Sequence, residues 1–177
     1  APNGLVALSH FVYPPYQVLS RSPIEQVSDF KGMKIRTTGG VMDMVAANLG
    51  GVSVRMSSSD IYNSLSRGTI DTVMYSFLSI KAADLQSVAD YAATGFGFGA
   101  PSVMMMMNQD RYAALPDDVK DAMQQAMTKA DQSFCSYLEE HEALSLEAIK
   151  AENGVKEHRF TDEQKAEITA LLSDVST

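Results

Sequence analysis

Between residues 33 and 75, short apolar runs alternate with helix-length stretches, and this pattern leaves few folds open. Residues 33–37, 52–56 and 70–75 read as strands. Between the first two lies an apolar-periodic stretch, 41–49, which Gly50-Gly51 can stop because glycine adopts the left-handed conformation cheaply. Between the second and third, Ser58-Ser59-Asp60 offers N-cap chemistry for a helix through Leu65, and Gly68 ends it. Strand-helix-strand units of this kind imply a parallel or mixed sheet with helices on its faces. The expected class is α/β.

Further along, 78–88 reads as another helix, 94–101 is rich in glycine (Gly95, Gly97, Gly99), and 102–107 is an apolar strand. Leu115-Pro116-Asp117-Asp118 opens a helix well, since proline suits the first turn and acids meet the positive end of the dipole. Nothing breaks that helix before Asn153-Gly154, which predicts roughly 35 residues, or about 50 Å at 1.5 Å per residue. Ordinary helices have about 11–12 residues, so one this long must span something. Residues 155–160 suit a strand, and Thr161-x-x-Gln164 matches a capping box opening a last helix to Leu172. The expected division is 1–100 and 101–177.

Charge narrows the partners. Fourteen Lys and Arg face 22 Asp and Glu, a formal charge of −8. Residues 1–100 balance at seven of each sign, so the excess lies in 101–177. An acidic surface without a basic stripe repels phosphate backbones, so no nucleic-acid partner is expected. An anionic small molecule would meet least repulsion in the balanced half. No run approaches the roughly 18 apolar residues of a membrane span. No basic-then-apolar leader opens the chain, which reads as a mature or truncated product. Cys135 is the single cysteine, excluding an internal disulfide and a thiolate zinc site; it fits the cytoplasm or the periplasm equally.

Little in the sequence points to catalysis. His10, His141 and His158 have no ligand spacing, and Met104-Met105-Met106-Met107 on a strand alternates faces, so no metal is expected. There is no Gly-x-Ser-x-Gly elbow, and Gly95-x-Gly97-x-Gly99 lacks the dinucleotide-binding spacing. No nucleophile, base and orienting group form a set, so neither catalytic residues nor a cofactor are expected. Arg36 stands apart. It ends a short strand before Thr37-Thr38-Gly39-Gly40, where open sheets bind ligands, and a guanidinium there can hold a carboxylate in a bidentate fork. A surface arginine in an ion pair is the plainer alternative. Tyr75, followed by Ser76, ends another strand at the same edge; it suits an aromatic or branched acid, or equally a half-buried core.

The run Asp29-Phe30-Lys31-Gly32-Met33-Lys34-Ile35-Arg36 resembles the Asp-Leu-Lys-Gly-Leu-Lys-Ile-Arg motif of solute receptors of tripartite ATP-independent (TRAP) transporters, the DctP family. In the same order, Ala46-Ala47-Asn48-Leu49-Gly50-Gly51 resembles that family's helix end. The segment from Ser59-Asp60-Ile61-Tyr62 to Thr69-Ile70-Asp71 is similar to its next helix, and Leu115-Pro116-Asp117-Asp118-Val119-Lys120 to the start of its long helix. The resemblance covers roughly residues 5–160. It implies a periplasmic receptor with two α/β lobes around a cleft, joined by crossing strands and a long helix. It also implies that Arg36 binds a ligand carboxylate and that the partners are TRAP membrane subunits.

Departures from the family pattern refine this expectation. Where many members have Asp-Gly-Gln-Glu-Asn, this chain has Asp71-Thr72-Val73-Met74-Tyr75, arguing against a sialic-acid-type ligand and against the metal seen in some members. Ser58 replaces a phenylalanine common in sialic-acid binders. Many members carry a second basic residue just before the position of Ser22-Pro23-Ile24; here none is placed in the cleft, and Tyr13, Tyr16 and Gln17 occupy that region. The expected site is Arg36 among Tyr13, Tyr16, Ser58, Tyr75 and Ser76, suited to an aromatic, branched or keto monocarboxylate.

Members also carry more than a hundred residues ahead of this motif that are absent here. The expectation is a near-complete second lobe over 1–100, and in 101–177 the returning piece of the first lobe with the long helix. Leu115, Val119, Met123, Ala126, Ala130, Phe134 and Leu138 form a helical stripe without intramolecular cover, so the chain alone is expected to self-associate. Two alternatives stand beside this reading: a small α/β enzyme with a site at the same strand ends, which turnover would reveal, and an interaction or ligand-sensing domain.

Overall fold

The computed structural model describes residues 3–175. Its strands are β1 (Leu5–Val12), β2 (Gln17–Ser20), β3 (Lys34–Thr37), β4 (Val52–Arg55), β5 (Thr72–Tyr75), β6 (Tyr91–Thr94), β7 (Ser102–Asn108) and β8 (Lys156–Arg159). The helices are α1 (Val41–Asn48), α2 (Ile61–Ser66), α3 (Phe77–Ala82), α4 (Gln109–Ala113), α5 (Asp117–Asn153) and α6 (Asp162–Leu171). They fall into two units. One comprises the chain up to Pro14 with Ala100–His141, and the other comprises Pro15–Gly99 with the chain from Glu142 onward.

This division departs from the expected boundary at residue 100. Pairing decides it: β1 lies antiparallel to β7, from Leu5 opposite Asn108 to Val12 opposite Ser102, so the first residues belong with the segment after Gly99. Later, β8 adds in parallel to β6, which brings the chain's end back to the larger sheet.

The larger unit is an α/β layer structure on a six-stranded mixed sheet of order β4-β3-β5-β2-β6-β8. β3 pairs in parallel with β4 and β5, and β6 in parallel with β8, while β2 runs antiparallel to both β5 and β6. Adjacent residues on a strand face opposite sides, and the packing follows that rule. Val18, Met74 and Ala93 pack with Ile35, Val45, Leu49, Phe160 and Ile168 on one face. Their neighbours Leu19, Val73 and Ala92 pack with Ile61, Leu65, Ile80 and Ile149 on the other. Each large side chain buried this way contributes about 1.5–3 kcal/mol.

Two local expectations are corrected. The helix anticipated over 78–88 stops at Ala82. Asp84 then takes a left-handed conformation (φ 53°), which breaks the helix before a short 3₁₀ turn at Leu85–Ser87. The N-cap expected from residues 58–60 is also absent as a hydrogen bond. Those residues form a 3₁₀ turn instead, and the Ser57 hydroxyl donates to Asp60 Oδ2 at 2.8 Å. The long helix and the capping box are present: α5 has 37 residues, and Thr161 and Gln164 cap α6 reciprocally.

In the smaller unit, the β1–β7 ribbon carries Phe11, whose ring meets Phe134 of α5 edge-on at 4.8 Å. Ser9 hydrogen-bonds Asp131. A groove of about 540 Å³, lined by Ser9, Phe11, Met105, Met127, Phe134 and Tyr137 among others, opens on this side. Its walls are apolar and its charged group is the acid Asp131, so it is unsuited to an anion. Met104, Met105 and Met106 are each about half exposed.

Gly51 offers a direct test of how tightly β3 and β4 are joined. A Cβ there would stand 2.5 Å from Ile35 Cδ1 and 3.1 Å from the Met33 carbonyl. Ile35 is fully buried and cannot yield freely. Gly51→Ala is therefore expected to cost about 1–3 kcal/mol of stability, read as a lower denaturation midpoint.

Candidate ligand site

The carboxyl ends of β3, β4 and β5 lie along one edge of the sheet, and because β2 is reversed, its entry lies there too, with Gln17 opposite Tyr75. Four of the residues singled out from sequence gather at this edge. Arg36 is one residue before the end of β3, with Val54 and Val73 as register partners. Ile35 faces one core, so Arg36 faces the other, the side shared by Val73 and, two residues on, Tyr75.

Arg36 is buried, at 3% exposure. Its Nη2 donates to the Met56 carbonyl at 3.2 Å and to Ser58 Oγ at 3.3 Å. Its guanidinium carbon stands 5.5 Å from the centre of the Tyr75 ring, within cation–π range. The Tyr75 hydroxyl donates to the same Ser58 Oγ at 3.1 Å, and the Tyr16 ring lies 5.7 Å from that of Tyr75. Arg36 Nε is different: it is buried and, among the described residues, has no hydrogen-bond partner. An unsatisfied buried donor costs about 1–3 kcal/mol, more when charged.

Ser76 and Tyr13 are placed differently. Ser76 is fully buried; its Oγ accepts from the Ser79 amide at 3.2 Å and donates to Ser79 Oγ at 2.8 Å, capping α3. Both functions of its hydroxyl are thus committed within the helix start. Tyr13 belongs to the smaller unit, where its ring packs near Phe11 and Phe134 at 6.0 and 5.9 Å.

Two polar arrangements near this edge were not anticipated. In the first, Asp43 of α1 accepts from the Thr37 hydroxyl at 2.6 Å and from Arg55 Nε at 2.6 Å, with a further ion pair to Arg55 Nη2. The parallel register that sets Thr37 beside Arg55 was the signal available for it. In the second, Glu142 of α5 accepts from the amides of Phe77 and Leu78 at 2.8 and 3.0 Å. Burial pushes its carboxyl pKa up, opposed by those two amides. A contact spanning more than sixty residues leaves no trace in local pattern. Among the described residues, no cluster of three or more His, Cys, Asp or Glu side chains could hold a metal ion. No described helix is long and apolar enough to cross a membrane.

A family model described as bacterial extracellular solute-binding protein, family 7, matches residues 3–176. The chain belongs to this family. A curated solute-binding protein of Albidiferax ferrireducens is 33% identical over 125 residues, covering 68% of this chain and 36% of that protein. A TRAP periplasmic solute-binding protein of Shewanella oneidensis, solved with bound succinate, superposes with a TM-score of 0.92 at 16% identity over 98% of this chain and 57% of its own. An extracytoplasmic solute receptor of Bordetella pertussis that binds pyroglutamic acid gives 0.90 at 21% identity, over 99% and 59%. The chain thus spans 36% to 59% of the lengths of these relatives.

The Asp43 cluster gives a pH test. The Arg55 hydrogen bond, helped by Thr37, holds the Asp43 pKa below its ordinary 3.8. A depressed carboxylate contributes stability above its unfolded pKa and loses it as pH falls through the folded one. Asp43→Asn should therefore be less stable than wild type at neutral pH, and the gap should close as urea unfolding is followed below pH 3.8.

Proposed function

We propose that the protein to which this chain belongs is a periplasmic receptor that binds a small organic carboxylate and delivers it to TRAP-type membrane subunits. One observation carries the reading: a buried arginine at the carboxyl end of a parallel strand holds an unpartnered Nε beside a tyrosine-lined edge. A carboxylate supplies the acceptor that Nε lacks, with the short charge-assisted geometry a guanidinium prefers. The solved relatives that bind succinate and pyroglutamic acid support the carboxylate class.

Tyr75 and Tyr16 favour an apolar or aromatic body behind the carboxylate. The ligand is accordingly a monocarboxylate with an aromatic, branched or keto substituent. The half-exposed methionines of β7 support self-association when this chain is studied without the rest of a longer protein. Sedimentation of the 177-residue chain is expected to show dimers or larger species at micromolar concentration, whereas a monodisperse monomer would contradict it.

Calorimetry on the full-length receptor with succinate, pyroglutamate, benzoate and 2-oxo-3-methylbutanoate tests the site. Arg36→Ala should weaken the tightest acid by about 2–5 kcal/mol, or roughly thirty- to five-thousand-fold. Arg36→Lys should restore only part of this, because it lacks the planar fork. Tyr75→Asn should shift preference toward polar hydroxy acids with little loss of stability. Undiminished binding by Arg36→Ala would overturn the assignment, and turnover of any acid would favour an enzyme.

A further inference from the structure

We propose that Glu142 is a positioning residue for the ligand site, a buried clamp that fixes where Tyr75 stands beside Arg36. The proposal rests on the reading of Arg36 as the carboxylate anchor. Its basis is the turn in which β5 ends at Tyr75, Ser76 follows, and α3 begins at Phe77. Both oxygens of Glu142 are spent on that turn, one accepting from the Phe77 amide at 2.8 Å and the other from the Leu78 amide at 3.0 Å.

A six-residue helix does not hold itself together, since nucleation outweighs so few internal hydrogen bonds. The position of its first turn must come from outside. Ser76 accounts for the Ser79 amide, and Glu142 accounts for the two amides before it, so the first three donors of α3 are all held by side chains. Ser76 belongs to the turn itself. Glu142, by contrast, stands on α5, whose Ile149 is fully buried in the same core layer as Val73 and Phe77. Through Glu142, that packed helix sets the place of the backbone two residues beyond Tyr75.

A second link between the same helices serves as an internal control. Lys81, in the last turn of α3, pairs with Glu152 at 3.4 Å, but the side chains are 39% and 62% exposed. Exposed pairs contribute at most about 1 kcal/mol, and this one sits at the end of α3 away from Tyr75. If docking α3 in general were all that mattered, losing either link would act alike. If the clamp positions Tyr75, only loss of Glu142 should reach the ligand.

The experiment uses the full-length receptor and the acid from the panel above that binds most tightly. Glu142→Gln keeps the shape of the side chain but turns one acceptor into a donor facing an amide. It should weaken binding about ten-fold or more, whereas Glu152→Gln should leave affinity unchanged. Tyr75→Phe removes the hydroxyl bonded to Ser58. Combined with Glu142→Gln, it should cost clearly less than the product of the two single effects, because both act through the same ring position. Should Glu142→Gln fail to fold, Glu142→Asp, which retracts the carboxylate but keeps its charge, is read in its place with the same expectation. Wild-type affinity in the Glu142 variant while Arg36→Ala loses binding would overturn the clamp and leave the anchor standing. Fully independent effects of Glu142→Gln and Tyr75→Phe would reduce Glu142 to a stabilising contact and likewise overturn the proposal. Normal binding by Arg36→Ala would instead remove the reading on which both rest.

Discussion

A guanidinium cannot shed its charge at physiological pH, so burying one obliges the protein to surround it with acceptors. Arg36 is buried at the end of β3, and its surroundings supply a carbonyl, a serine hydroxyl and the face of a tyrosine ring. Those partners occupy Nη2 and one side of the plane. The buried Nε is left over. Much of the local structure serves this arrangement: Met56 and Ser58, which follow β4, and Tyr75, which ends β5, meet the cation, and Tyr16, which precedes β2, lies against the Tyr75 ring.

The sheet makes that convergence possible. Parallel pairing of β4, β3 and β5 aligns their carboxyl ends, and the reversed β2 brings its beginning to the same edge. Apolar residues on both sides of these strands fix each segment between two packed layers, so the polar residues at the strand ends inherit a rigid support. Glu142 extends the principle to the turn after β5, where backbone amides at a helix start would otherwise lack acceptors.

The parts of the fold legible in the sequence were those with local periodicity or punctuation. The β3-α1-β4-α2-β5 succession, the 37-residue helix and the Thr161–Gln164 box all carry such marks. β2 and β6 do not. Val18, Leu19 and Ser20 are all buried, as are Ala92, Ala93 and Thr94, so neither strand alternates in polarity, and both are only four residues long. β1 pairs with a strand nearly a hundred residues away, which moved the division between units to Pro14 and Gly99. At the edge where β3, β4 and β5 end, strand-end position was enough to place Arg36 and Tyr75 together. It was not enough to separate Ser76, whose hydroxyl caps α3, from Ser58, which touches both Arg36 and Tyr75. Glu142 and the Asp43–Arg55 pair depend on tertiary approach and had no local mark.

The central claim is that the unpartnered Nε of Arg36 is where a ligand carboxylate binds. A crystal structure of the full-length receptor with its tightest-binding acid tests this most directly. The account predicts a carboxylate oxygen within hydrogen-bonding distance, about 2.7–3.0 Å, of Arg36 Nε, with the rest of the ligand against the rings of Tyr75 and Tyr16. A carboxylate bound elsewhere, with Arg36 Nε still lacking an acceptor, would contradict it.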